Sequence, residues 1–546
     1  MSASSKKKLR KEQEAAKLTE KQLTAQKEAQ KTKLYTTLFV VAMVAILVIA
    51  VTVGIGQVIR SSGVREKNTT ALTIGEHTLS NADLNYYYVD TVNNFYSQNG
   101  SYIGLFGLDV TKPLNEQVFD ETTGETWADY FLESAKNNAA TIYALNDAAK
   151  AAGFTLSEEE VSSLDSMASS FSLYANLYGF ANAEEYLKAM YGKGATLEGV
   201  RKYMEMSTLA DAYNTFYQES LSYTDADLRA AEAENYDQYS SFSYNYYYLP
   251  ATRFQEGGTE NEDGTVTYSD AEKAAALAAA EEAVNSIISA DITSVEALDA
   301  AIAALPINAD TTAKSTAYTD YSYASIDDDL SAWLSDDARQ EGDVACVANT
   351  ATSTAEDGTE TTETLGYYAV YFHGVNDNSF PMKNARHILV SFEGGTADEM
   401  GNMTYSDEEK AAAKAAAEEL LNQWKAGEAT EDSFAALAAE QTDDTGSAAN
   451  GGLYEDIYPG QMVAPFEDWC YDAQRKTGDT GLVETTYGYH VMFFSGDSAT
   501  TYRDFLIQNA LATADHAAWY NDIVGSATVT EGNTKYLNKD IVLAAN

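Results

Sequence analysis

Two histidines lie on strand-like segments: His387 in ARHILVSF (Ala385 to Phe392) and His490 in ETTYGYHVMFF (Glu484 to Phe494). Between them, the loop TDDTGSAANGG (Thr442 to Gly452) carries adjacent carboxylates, Asp443 and Asp444, and GQMVAPFEDW (Gly460 to Trp469) carries Met462 and Phe466. Imidazoles within reach of a carboxylate form directional hydrogen-bond networks, and apolar side chains beside them make a pocket. Taken singly, these residues have plainer readings. Two histidines on neighbouring strands can be a satisfied core pair, and a Met-x-x-x-Phe helix face is ordinarily packing.

Other chemistries find little support. The five histidines (His77, His373, His387, His490, His516) show no HExxH or Cys/His ligand spacing, so no metal is expected. No G-x-S-x-G elbow or P-loop occurs, which argues against the common hydrolase and nucleotide sites. No cofactor is expected. Cys346 and Cys470 are too few for a disulfide framework and read as free.

The elements that must hold the histidines are repeated. VTYSDAEKAAALAAAEEAV (Val266 to Val284) matches MTYSDEEKAAAKAAAEELL (Met403 to Leu421), and both helices open with a capping box, Ser269 with Glu272 and Ser406 with Glu409. The match continues in WLSDDARQEGD (Trp333 to Asp343) against WCYDAQRKTGD (Trp469 to Asp479), and in LGYYAVYF (Leu365 to Phe372) against YGYHVMFF (Tyr487 to Phe494). The first copy offers only tyrosines in YNYYYLPATRF (Tyr244 to Phe254) where the second has His387, and Tyr368 stands where the second has His490. It also lacks the Gly-Gly loop, and Ile326 and Leu330 replace Met462 and Phe466.

In order and spacing, the stretch from Lys383 to Gly496 resembles the parvulin family of peptidyl-prolyl cis/trans isomerases. The resemblance implies a four-stranded antiparallel sheet that sets two histidines beneath a small apolar proline pocket. It implies catalytic roles for His387, His490, Asp444 (with Asp443 the alignment alternative) and Thr485, and substrate-binding roles for Met462, Phe466, Tyr454 and Tyr487. One departure stands out. Where the family usually reads G-G-D-L-G, this chain has G-G-L-Y-E, placing Tyr454 at the pocket leucine, so a narrower or more polar pocket is expected. The first copy reads as an inactive parvulin fold used for spacing or for binding extended peptide.

Residues 34–58 contain no charged side chain, and as a helix would reach about 37 Å, enough to span a membrane. Residues 1–33 hold ten Lys/Arg and four Glu, so the positive-inside rule places them in the cytoplasm and everything after Arg60 outside. An uncleaved signal anchor is expected rather than a cleaved signal peptide, because the basic and apolar stretches are both long and no Ala-x-Ala-like site precedes Ser61. The remaining residues carry 25 basic and 79 acidic side chains, an acidity that disfavours nucleic acid as a partner.

Between the span and the first copy lies a short strand, a Gly-Glu turn, a helix capped by Ser80 or Asn81, and then helices over Thr126–Ala152, Ala183–Tyr191, Leu197–Ser220 and from Thr224 to about Gln238. That order resembles the N-terminal chaperone region of the SurA, PrsA and PpiD group, whose C-terminal tail packs back on it; here a helix from Tyr502 to Val524 and a strand in ATVTEGNTKYL (Ala527 to Leu537) are the counterparts. Tyr174, Tyr178, Met190, Tyr191, Tyr203, Met204 and Met206 would line a groove for unfolded chains, or else form core.

The expected architecture is α+β and multidomain: a basic tail (1–33), a membrane anchor (34–58), a helical SurA-like domain (64–239), a degenerate parvulin-like domain (240–378), a parvulin domain (379–500) and a C-terminal helix and tail (501–546). The expected function is a membrane-anchored extracytoplasmic isomerase and chaperone whose partners are unfolded exported proteins with X-Pro bonds. A non-catalytic holdase that only grips peptide is the alternative.

Overall fold

The computed structural model describes residues 6–8, 62–100, 102–261, 264–355, 358–398 and 401–543. The expected anchor at 34–58 lies outside them. Among the described residues, no helix is long and apolar enough to cross a membrane. The described residues form two compact units, one drawn from 1–221 and 515–546 and the other from 222–514. The boundary therefore falls at Leu221 rather than at 239. The helix Asp225–Glu234 belongs to the second unit because Leu228 and Tyr239 bury themselves with Ile507 of the helix Tyr502–Gly525.

In the first unit, Ser80 caps the helix Asn81–Asn99 through a capping box with Asp83, and Thr126 and Asp129 do the same for Trp127–Ala152, which ends on Gly153 in the left-handed region. The C-terminal strand Val529–Glu531 pairs with the first strand Thr70–Ile74, so the tail completes the fold of the N-terminal region. Two fully buried asparagines hold it. Asn81 donates to the Asn533 carbonyl at 2.8 Å and accepts from the Tyr536 amide, while Asn85 accepts from the Asn538 amide at 3.0 Å. Lys136, itself buried, reaches Glu531.

The aromatic and methionine set divides. Tyr191 is buried, and Met190, Tyr203, Met204 and Met206 pack against the core, whereas Leu173, Tyr174 and Leu177 on the helix Glu158–Leu177, and Tyr178 just after it, are exposed. Tyr203 and Tyr191 both bond to Asp90, so this part of the set is structural rather than a groove lining.

In the second unit the repeat is one topology built twice. The first copy orders its antiparallel strands Thr316–Ser322, Ser241–Pro250, Glu360–Asn376, Val344–Thr354; the second orders Leu453–Ile457, Pro381–Ser391, Gly488–Thr501, Thr480–Glu484. Details recur. Arg339 stacks on Trp333 as Arg475 does on Trp469, at 3.8 and 3.9 Å. Asp343 takes the Gln340 amide as Asp479 takes that of Lys476.

Alternation along the strands decides what each face holds. In the second copy Ile388, Val491 and Phe493 face the helices Asp407–Ala426 and Glu431–Gln441, burying Trp424 and Phe434. The opposite face carries Ala385 and Met492, packed with Phe466 and Cys470 of the helix Ala464–Tyr471. His387, two residues from Ala385, and His490, two from Met492, belong to that second face. Both cysteines are free.

A candidate active site in the second copy

Register brings the histidines together. His387 pairs with Met492 and Leu389 with His490, so the two imidazoles are diagonal neighbours with ring centroids 5.1 Å apart. Their Nδ1 atoms are 2.9 Å apart, and both residues are buried. His387 Nε2 lies 2.9 Å from Asp444 Oδ2, and His490 Nε2 lies 2.9 Å from Thr485 Oγ1.

One direction of protons satisfies the chain. A carboxylate only accepts, so His387 donates from Nε2 to Asp444 and presents a bare Nδ1. His490 then donates from Nδ1 to His387, and its Nε2 accepts the Thr485 hydroxyl hydrogen. Burial depresses the basicity of both rings. For His387 the Asp444 carboxylate opposes this without overcoming it. His490, further depressed by its proximity to His387, falls to about 4. Both rings are neutral at pH 7.

Asp444 is placed by the loop. The Asp443 amide bonds to the Leu389 carbonyl, Thr442 Oγ1 accepts from the Leu389 amide, and the Asp443 carboxylate turns away to take the Ser391 amide at 2.8 Å. That assigns the site acid to Asp444 rather than to Asp443. Asp444 Oδ2 accepts from Ser447 Oγ at 2.6 Å and Tyr454 Oη at 3.0 Å besides His387, and Oδ1 takes the Gly446 amide. Burial opposes ionisation, but these bonds outweigh it and hold the carboxyl down to about 2.

The Gly-Gly loop is required by close approach. The His387 amide donates to the Gly452 carbonyl at 2.8 Å, and a Cβ on Gly452 would lie 2.1 Å from the His387 carbonyl oxygen. Gly451 and Gly452 both have positive φ, 72° and 71°.

Above the network is a cavity of about 350 Å³ lined by His387, Leu389, Asp444, Tyr454, Gln461, Met462, Val463, Phe466, Tyr487 and His490. Thr485 lies behind His490, so all eight residues singled out in the sequence converge here. Three placements differ from expectation. Met462 precedes the helix Ala464–Tyr471 and sits in the turn before it, because Pro465 opens that helix. Tyr454 is a hydrogen-bond donor to the acid as well as a wall. Ser447, which sequence reasoning missed, bonds to both Asp444 and His387; its only signal was a hydroxyl three residues after an aspartate that could cap a short helix.

The first copy has none of this network. Its register places Tyr246 where His387 stands and Tyr368 where His490 stands. Tyr246 stacks on Tyr318, Tyr368 packs on Tyr248, and the Tyr368 hydroxyl takes a bond from Asn349 at 2.6 Å. Tyr318 occupies the strand position of Tyr454, so a tyrosine there is common to both copies.

The family model described as the PPIC-type PPIase domain matches residues 372–495. Residues 372–495 are a PPIC-type parvulin domain. Beyond that match, the chain is similar to Foldase protein PrsA 1 of Listeria innocua, 39% identical over 79 residues that make up 14% of this chain and 26% of that protein. It is similar also to Foldase protein PrsA 3 of Bacillus anthracis, 34% identical over 120 residues, 22% of this chain and 32% of that one. Among solved structures, PrsA of Bacillus subtilis aligns with 84% of this chain and 91% of its own at 13% identity and a TM-score of 0.23. The chain thus spans about a quarter to a third of the length of these curated relatives. The match covers most of the second copy of the repeat and begins within the first copy's strand Glu360–Asn376.

Proposed function

We propose that the parvulin domain isomerises X-Pro peptide bonds in unfolded or partly folded exported proteins, and that the remaining domains hold those chains. The observation that carries this reading is the single directed chain from Thr485 through His490 and His387 to Asp444 beneath an apolar cavity, present in one copy and replaced by packed tyrosines in the other.

Rotation about X-Pro is slow because the planar amide is stabilised by resonance that draws negative charge to oxygen; no bond breaks. A catalyst has only to bind the twisted imide better than the planar one. A carboxylate held ionised beside the carbonyl disfavours the charge-separated planar form, and the neutral histidines fix its position without cancelling its charge. Met462, Phe466 and Leu389 supply the apolar wall for the ring.

The same reading has residues 34–58 anchoring the protein in the cell membrane, with residues 1–33 cytoplasmic and the bulk outside, supported by the uncharged stretch and the basic residues before it. A second reading, a holdase without turnover, is favoured by Tyr454, whose hydroxyl occupies the acid. Exchange NMR on X-Pro peptides with the full chain separates them. Acceleration lost in His490→Ala supports the isomerase; no acceleration over a panel of peptides would leave the holdase.

A further inference from the structure

Two groups of exposed apolar side chains stand on the first unit. One is at the tip of the helical hairpin made by Glu158–Leu177 and Ala183–Tyr191, where Leu173, Leu177 and Tyr178 are 66%, 71% and 65% exposed. The other surrounds Leu105, in the turn Ile103–Phe106 that follows the helix Asn81–Asn99. Side chains this far out of the surface make a convex knob, which cannot enclose a peptide but can be immersed in an apolar phase.

The hairpin tip is held by its own aromatics. Tyr186 of the second helix gathers Phe171, Tyr174, Tyr178 and Phe180, with ring centroids 5.5 to 6.5 Å away. Gly179 takes a positive φ of 76°, and the Phe180 amide returns to the Ala175 carbonyl at 2.8 Å to close the first helix. Leu173 and Leu177, one turn apart on that helix, are left outside the cluster.

Residues 166–183 contain no charged side chain, in a chain whose net charge is −48. The flanking charges are engaged: Asp165 pairs with Arg201 at 2.7 Å, and Lys188 pairs with Glu185 at 2.9 Å and feels Glu184 as well. A strongly acidic chain attracts basic partners through its carboxylates. A face without charge selects its partner by apolar contact alone, and the water–lipid boundary, which takes up tyrosine and leucine side chains, is such a partner.

Chain connectivity decides between the two knobs. A Cβ on Gly63 would lie 2.2 Å from the Lys193 carbonyl oxygen, and one on Gly194 would lie 2.5 Å from Ala82 Cβ, so the chain enters the unit beside the end of the hairpin's second helix and the start of Asn81–Asn99. Val58, the last residue of the uncharged stretch, is five steps before Gly63, and at about 3.6 Å per extended residue that linker reaches at most about 18 Å. The hairpin tip is about 13 Å from this entry point, the rise of the nine-residue helix Ala183–Tyr191. The Leu105 knob lies beyond the far end of a 19-residue helix, about 28 Å away. Only the hairpin is within the linker's reach of the bilayer.

We infer that the hairpin tip is a membrane contact, in which Leu173, Leu177 and Tyr178 dip into the headgroup–acyl boundary of the bilayer that residues 34–58 cross and hold the first unit against its surface. The partner is a lipid surface, recognised by apolar contact and not by headgroup charge. The inference rests on the anchor reading of residues 34–58.

The test reconstitutes the full chain in phosphatidylcholine vesicles that contain a lipid with a photoactivatable acyl chain, and maps the labelled peptides by mass spectrometry after illumination. Label is expected in residues 34–58 and 166–183 and not in 102–106, and adding phosphatidylglycerol should leave this pattern unchanged. Leu173→Glu combined with Leu177→Glu, both at exposed positions outside the core, should lower the hairpin label about ten-fold while 34–58 is labelled as before, because burying one leucine is already worth about that factor. Leu105→Glu should change neither. Label in 34–58 with none in 166–183, equal label in 102–106, or a hairpin label unchanged in the double variant overturns the contact and leaves the face to a peptide or a second copy of the chain. Absence of label in 34–58 overturns the anchor reading instead, and flotation of the chain with preformed phosphatidylcholine vesicles then decides the contact alone. Flotation lost in the double variant supports it; no flotation, or flotation unchanged in the double variant, overturns it.

Discussion

Tyr454 donates its hydroxyl hydrogen to Asp444 Oδ2 across the cavity, at 3.0 Å. It is one of three donors to a single carboxylate oxygen, with Ser447 and His387, and it makes the pocket wall and the acid one structure. A leucine at that position would leave the carboxylate freer and the wall wholly apolar.

Tyr454→Phe keeps the ring and removes the donor. The Asp444 carboxyl, held at about 2, is expected to rise toward the ordinary aspartate value near 3.8, because a bond to the charged form is lost. Carbon NMR titration of the aspartate carboxyls reads this directly. An unmoved resonance would mean that Ser447 and His387 suffice.

Removing a link in the histidine chain should cost turnover more than peptide affinity. His387→Ala and His490→Ala are each expected to lower kcat/KM about ten-fold or more, equivalent to about 1.4 kcal/mol or more of transition-state stabilisation. Ser447→Ala, which leaves the imidazoles in place, should fall between these and the wild type. Equal activity in all three variants would remove the network from the mechanism.

The pH dependence follows from three depressed groups: His387, lowered from its ordinary value by burial, His490 and Asp444. His490 titrates near 4 when folded and near 6.5 when unfolded, so between those values the unfolded chain binds the extra proton and stability falls as pH drops. Asp444 adds a second loss between 3.8 and about 2. Isomerisation is therefore expected to be flat from pH 7 to 8 and to be lost on the acid side, at the latest as pH falls through about 4. Thermal melts and exchange NMR across pH 3 to 8 check both; a midpoint near 6.5 would show His490 to be an ordinary, hydrated imidazole.

The C-terminal tail should respond to one buried side chain far away in sequence. Asn81→Ala leaves the Asn533 carbonyl and the Tyr536 amide without their partner, a cost of about 1 to 3 kcal/mol. Lys539→Ala, which breaks a partly exposed pair with Asp129, should cost at most about 1 kcal/mol. Hydrogen exchange at residues 529–531 resolves the two within a chain of several domains. Equal protection in both variants would assign the tail's hold to the strand pairing alone.

Local chemistry and periodicity, both readable from the sequence, determined the repeat, the capping boxes at Ser269 and Ser406, the helix stop at Gly153, and the loss of both histidines from the first copy. Each depends on residues within a few positions of one another, or on a motif compared with itself. Alternation also put His387 and His490 on strands whose neighbours face opposite ways. Tertiary structure alone decided which of Asp443 and Asp444 meets the imidazole, because the strand end at Leu389 and Ser391 turns one carboxylate outward. It alone showed that Ser447 and Tyr454 share that acid, that Met462 lies in a turn, and that Asn81 and Asn85 hold the tail whose strand Val529–Glu531 pairs with Thr70–Ile74. Those contacts join segments tens to hundreds of residues apart, and they are selected by packing and register, which local periodicity does not encode.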